Sequence, residues 1–238
     1  MLNHIKNKSM GRSNLGWLQS LFHFSFAEYY NPANMNFGVL RVLNDDLVKS
    51  ETGFDMHPHR DMEIISYVVD SKLTHQDNMG NKNTLSRGMV QYMSAGKGVM
   101  HSEHNLTDKT ARFLQIWIPP TENGLEPNYG DYPFEWQLRE NNWLHMVSSI
   151  SGNAPVKIHQ DVNIYSLALE EGLELGFAMG ASRQAYLVQI EGNSTLFGSI
   201  THEHLQLTEK DAVEIIAEEF TLKAATSSHY ILIEMAKV

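Results

Sequence analysis

The chain has 238 residues, 42% hydrophobic and 19% charged, and its 18 Lys plus Arg against 28 Asp plus Glu leave a net charge of −10. This is the composition of a folded globular protein and the wrong sign for direct contact with nucleic acid. The chain has no cysteine, which excludes disulfides, thiolate metal sites and cysteine nucleophiles and leaves His, Asp and Glu as the strong metal ligands.

Residues 1–17 carry positive charge without the apolar run of a secretory signal, and no stretch of the sequence reaches the length of a membrane span. A cytoplasmic protein with no membrane partner is expected. Phe22, Phe24 and Phe26 alternate with polar residues and predict one buried strand face, read as core ahead of the alternative of a pocket wall. Runs at 37–43, 62–69, 89–93 and 112–118, rich in β-branched and aromatic residues and separated by turn signals such as 78–81, predict antiparallel strands. Four prolines (Pro119, Pro120, Pro127, Pro133) then crowd one segment, where they stop helix and central strand alike. The same strand-like pattern returns in 163–169, 184–190, 212–216 and 229–235. The expectation is an all-β chain of two antiparallel barrels, 1–120 and 135–238, joined by a linker at 121–134. A faint internal echo between the halves suggests duplication.

With twelve histidines, roughly 0.6 His-x-His pairs arise by chance, so a lone pair proves little. His202 and His204 have no further metal context and read as exposed strand-end residues. His57 and His59 differ, because strand alternation directs both imidazoles to one face. Pro58 between them suits a strand start or edge. Continued alternation puts Asp61 and Glu63 on that face too. His101 and Glu103 share a face after the glycine-rich turn at 95–98, with His104 pointing away. Three imidazoles and one carboxylate make a borderline ligand set for one divalent transition ion, Fe(II), Ni, Co, Cu, Zn or Mn, with positions left open for substrate. His75 and Asp77 are candidates to line the pocket, but read first as hairpin residues that make local hydrogen bonds before a tight turn. Met56, Met62, Met89, Met93 and Met100 read as barrel packing, and their apolar wall suits a flat aromatic ligand.

The two clusters, Gly53, His57, His59 and Glu63, then Gly88, His101 and Asn105, resemble the two cupin motifs. Residues 12–120, including GFDMHPHRDMEIISYVV and MSAGKGVMHSEHN, closely resemble the pirin family and its shorter members, which are similar to quercetin 2,3-dioxygenases. The resemblance implies a bicupin with metal in the N-terminal barrel only, held by His57, His59, His101 and Glu103, with Fe(II) the leading expectation and Glu63 an outer group or substitute ligand. It implies oxygen-dependent cleavage of a flavonol-like ring with release of carbon monoxide, Glu103 accepting the substrate proton. Two rival readings follow: a redox-sensing regulator acting through a protein partner, and a non-redox cupin such as an isomerase.

Overall fold

The structure, a computed structural model, describes residues 1–237. The chain divides into two compact units. One comprises Gly11–Glu135 with Ile158–Gln160, and the other Met1–Met10, Trp136–Lys157 and the residues from Asp161 on. Among the described residues each unit carries one seven-stranded and one four-stranded sheet, so the chain is all-β.

In the first unit the larger sheet runs in the order Asn128–Tyr132, Val90–Ser94, Glu63–Asp70, Ala111–Ile118, Val42–Val48, Leu18–Phe22 and Gly11–Asn14. Its central strands Glu63–Asp70 and Ala111–Ile118 are nearly continuously buried, which is why they read as largely apolar runs, interrupted by the buried polar residues Glu63, Ser66, Arg112 and Gln115, instead of alternating ones. The four-stranded sheet orders Thr52–His59, Val99–Asn105, Lys72–Asp77 and Lys82–Ser86. Val48, Val68, Leu73, Leu85 and Phe113, all fully buried, form part of the core of this unit. Thr52–His59 lies at the edge of its sheet, where Pro58 costs no ladder hydrogen bond.

Several elements differ from the sequence reading. The run at 37–43 is not one strand: Phe37 and Leu40 close an isolated bridge around Gly38, whose φ is 53°, and the strand begins at Val42 and continues through Asn44, Asp45 and Asp46. Leu18–Phe22 ends before Phe24, so Phe22 and Phe24 are buried while Phe26 is only half-buried. Met93 is buried, but Met56 is 46% exposed, since it alternates with the histidine face of its strand. Asn128–Tyr132, within the segment read as a linker, pairs with Val90–Ser94.

The second unit orders Leu2–Ile5, Ala212–Ile216, Arg183–Glu191, Ser228–Ala236, Val162–Leu169, Leu144–Ser149 and Val156–Ile158 in its larger sheet. The first strand of the chain therefore belongs with the C-terminal residues, Leu2 facing Ile215 and Ile5 facing Ala212, with Leu2 packed on the core of that unit. His202 and His204 are both exposed, and the histidine–carboxylate groups close enough to share an ion, among the described residues, fall in the first unit. Among the described residues no helix is long and apolar enough to cross a membrane.

Candidate metal centre

Antiparallel pairing of Val99–Asn105 with Thr52–His59 sets His101 directly opposite His57. Cross-strand neighbours on one face approach within side-chain reach, and the i, i+2 step brings His59 to the same point. The result is a triangle of imidazoles, with ring centroids 4.4 Å apart for His57 and His101 and 4.8 Å for each ring with His59. One ligand atom from each lies within 4.8 Å of the others. Close strand approach here requires Gly53: a Cβ at that position would lie 2.3 Å from the carbonyl oxygen of Glu103.

Hydrogen bonds set which nitrogen each ring presents. His57 Nδ1 lies 2.7 Å from the carbonyl oxygen of Asp55; a carbonyl only accepts, so Nδ1 is the donor there, and in the neutral ring Nε2 is the nitrogen with the lone pair. For His101 the relay is longer. Burial works to raise the Asp77 carboxyl, but hydrogen bonds from Asn81, His75 and Met79 outweigh it and lower its pKa. Ionised Asp77 is acceptor-only, so the His75 Nε2 that lies 3.2 Å from its Oδ2 is protonated. With its Nε2 taken up by Asp77, His75 has Nδ1 left 3.5 Å from His101 Nδ1, and in the neutral ring that nitrogen is the acceptor. His101 Nε2 keeps its lone pair and, buried, has no hydrogen-bond partner.

An unpartnered buried nitrogen is costly in a protein unless something else meets it, and a lone pair among two other imidazoles is suited to a cation. Desolvation, with His101 and His57 beside it, lowers His59 to about 4, against the attraction of Glu103. Desolvation, with His57 and His75 beside it, lowers His101 to about 3, against Asp77. Both rings are therefore neutral at neutral pH, with a lone pair each to offer a cation. The residues fit a borderline divalent transition ion.

Glu103 is 1% exposed and forms a second close group with His75 and His101. Its Oε1 accepts from Ser66 Oγ at 2.8 Å and Gln91 Nε2 at 3.1 Å, and its Oε2 accepts from Gln115 Nε2 at 2.7 Å. Three donors hold the carboxylate in one orientation, so it does not swing freely.

Glu63 does not join the cluster. Its Oε1 accepts from the backbone N–H of His159 at 2.6 Å and from His159 Nδ1 at 2.9 Å, and its Oε2 from the backbone N–H of Gln160 at 3.0 Å. The alternation that predicts otherwise is broken by Asp61, at φ 49°, between the two strands. Asp61 itself accepts from the backbone N–H of Gly124. His104 points away, 3.3 Å from Asp55. His75, read from sequence as a local hairpin residue, is fully buried, stacks on Tyr129 with centroids 4.4 Å apart, and touches His101; its opposition to Glu103 across the strands is not visible in the sequence.

The centre opens on a cavity of about 190 Å³ walled by Phe26, Phe54 and Trp117, with Asn44, Asp46 and Gln115 among its polar residues. Trp117 meets His59 edge-on at 4.8 Å. Burial raises Asp46 to about 7, a hydrogen bond from Ser20 opposing it and the carboxylates of Asp45 and Glu103 adding to it.

Residues 4–118 match the Pirin family model and residues 145–235 the model of the quercetinase C-terminal cupin domain. A pirin-like protein of Caulobacter vibrioides is 40% identical over 95% of this chain and 96% of its own length. The chain belongs to the pirin family. It is a bicupin related to quercetin 2,3-dioxygenase-like proteins. The quercetin 2,3-dioxygenase of Escherichia coli (strain K12) is 38% identical over 90% of this chain and 92% of its own length. The crystal structure of the bacterial pirin YhhW from Escherichia coli, in complex with nickel(II), superposes with a TM-score of 0.91 at 34% identity, covering 100% of both chains.

Proposed function

We propose that this pirin-family chain is a metal-dependent dioxygenase that opens the heterocycle of a flavonol such as quercetin with O₂ and releases carbon monoxide. One observation carries the reading: three imidazoles converge, one with a buried, unpartnered Nε2, beside an aromatic-walled cavity. His57, His59 and His101, with Glu103, would hold a divalent ion, Fe(II) the first candidate by family resemblance and nickel the ion bound by the similar YhhW. Such an ion supplies positive charge that lowers the pKa of a bound hydroxyl group.

The side chains of the protein do the rest. The Asp77–His75 pair keeps the His101 proton on Nδ1. Glu103 takes the proton of the substrate hydroxyl, and the donors from Ser66, Gln91 and Gln115 keep its carboxylate aimed while it does so. Phe26, Phe54 and Trp117 stack and seal the planar ring from water. The relatives named as quercetin 2,3-dioxygenases support the substrate class.

Metal-loaded protein mixed with quercetin in air and under anaerobic conditions tests this. Consumption only in air, with carbon monoxide in the headspace, is the expected result. Equal anaerobic conversion would mean a non-redox cupin, and no conversion a regulatory protein.

A further inference from the structure

The strand Val42–Val48 reads VLNDDLV, three consecutive polar residues inside a buried strand, with Asn44, Asp45 and Asp46 all 2–3% exposed. Alternation separates them. Asp45 takes one face, where Arg112 donates to both of its oxygens, at 2.9 Å from Nε to Oδ1 and 2.7 Å from Nη2 to Oδ2. Asn44 and Asp46 take the other face and line the cavity beside the imidazoles. There Asn44 Oδ1 and Asp46 Oδ1 are buried with no hydrogen-bond partner, as is the Nε1 of Trp117, another residue of the cavity wall. Gln115, opposite Asn44 in the neighbouring strand, is committed to Glu103 and Ser66 and does not relieve them. Buried polar groups are ordinarily paired, and two acceptors and a donor left over around one cavity specify what a complementary guest must bring.

Volume narrows the guest further. An apolar cavity of about 150 Å³ encloses one benzene ring, so a cavity of about 190 Å³ matches one substituted ring, and the other rings of a flavonol would extend beyond it, past Phe54 and His57, towards the larger pocket of about 630 Å³ that those two residues also line.

We propose that Asn44 and Asp46 form the hydroxyl-recognising edge of this cavity, and that the part of the ligand it encloses is a single planar ring bearing a hydroxyl group. Asp46 accepts from that hydroxyl, Trp117 donates to an oxygen of the same ligand, and Phe26 and Phe54 cover the ring. This deepens the dioxygenase reading and rests on it for the position of the ring beside the imidazoles. A flavonol then enters by one ring and leaves the others at the mouth, whereas a monocyclic phenol is enclosed whole.

The test is calorimetric binding of phenol, toluene and quercetin to nickel-loaded wild-type, Asp46→Leu and Asp46→Asn proteins, with nickel content measured in each. Wild type should prefer phenol over toluene by roughly tenfold or more, and Asp46→Leu should erase most of that preference while keeping its nickel and its affinity for toluene. Asp46→Asn, which retains an acceptor oxygen, should restore part of it. Phenol and toluene binding equally to wild type would overturn the proposal without requiring any variant to fold, and so would a phenol preference left intact in Asp46→Leu, which would place the hydroxyl on the metal alone. The two readings fail separately. Phenol preference that depends on Asp46 with no oxygen-dependent quercetin loss would sink the dioxygenase reading only, and aerobic quercetin turnover with unchanged KM in Asp46→Leu would sink the assignment of Asp46 only.

Discussion

Replacing His75 with Phe isolates the relay behind His101. The stack on Tyr129, with centroids 4.4 Å apart and planes 16° from parallel, survives the exchange, and Asp77 keeps its donors from Asn81 and Met79. What disappears is the acceptor 3.5 Å from His101 Nδ1. With a metal on Nε2 the Nδ1–H is then left buried and unpaired, whereas in the metal-free protein the proton can move to Nε2. A lost outer hydrogen bond of this type costs about 10- to 100-fold in metal affinity, or about 1.4 to 2.7 kcal/mol. The wild-type contact is long for a hydrogen bond, so the loss belongs near the lower figure, roughly tenfold. Competition against a chromophoric chelator for Ni²⁺ measures the affinity, and thermal unfolding of the metal-free proteins controls for damage to the fold. An affinity unchanged within about threefold, less than the smallest loss expected of such a bond, would refute the relay. So would a loss that merely tracks a fall in the unfolding temperature.

Glu103→Gln should abolish aerobic flavonol turnover while leaving much of the metal bound, as measured by oxygen uptake and elemental analysis on the same sample; unchanged turnover contradicts the assignment of Glu103. Glu63→Gln should leave metal stoichiometry intact but lower unfolding free energy by about 2 kcal/mol, since it disturbs a buried carboxylate that accepts three N–H hydrogen bonds, a loss that urea titration would read. The pH dependence of metal-free stability has a defined sign. His59 and His101 hold folded pKa values of about 4 and about 3 against 6.5 unfolded, so unfolding takes up protons and stability rises with pH from about 4 to 6.5. Asp46, raised from 3.8 to about 7, works in the opposite direction over nearly the same range, its folded form holding a proton that the unfolded chain releases. Urea titrations of the metal-free protein at pH 4.5 and 6.5 should therefore show a steeper rise with pH in Asp46→Asn than in wild type; a flat or falling profile in that variant contradicts the buried, neutral histidines.

The strands that cross the cores are legible in the sequence because burial on both faces writes long β-branched runs, as in Glu63–Asp70 and Ser228–Ala236. His57, His59 and His101 stand out because period-two spacing is a local signal. What fails is whatever depends on partners distant in sequence or on a single dihedral angle. Glu63 leaves the histidine face because Asp61 turns the chain at positive φ. His75 acquires its role from cross-strand register, opposite Glu103. Asn44 and Asp46 are hidden by their own polarity: the apolar run at 37–43 stops short of them, although the strand continues through them into the cavity wall. The first strand pairs with residues more than two hundred positions away, a partnership no local pattern encodes.

The most direct test of the account is elemental analysis of protein prepared without chelator or affinity-column nickel, comparing wild type with a His57→Ala, His59→Ala, His101→Ala variant after both are offered Fe(II) and Ni(II) and desalted. The account predicts a single transition ion per wild-type chain and next to none in the variant. A wild-type protein that stays empty, or a variant that loads equally well, would contradict it.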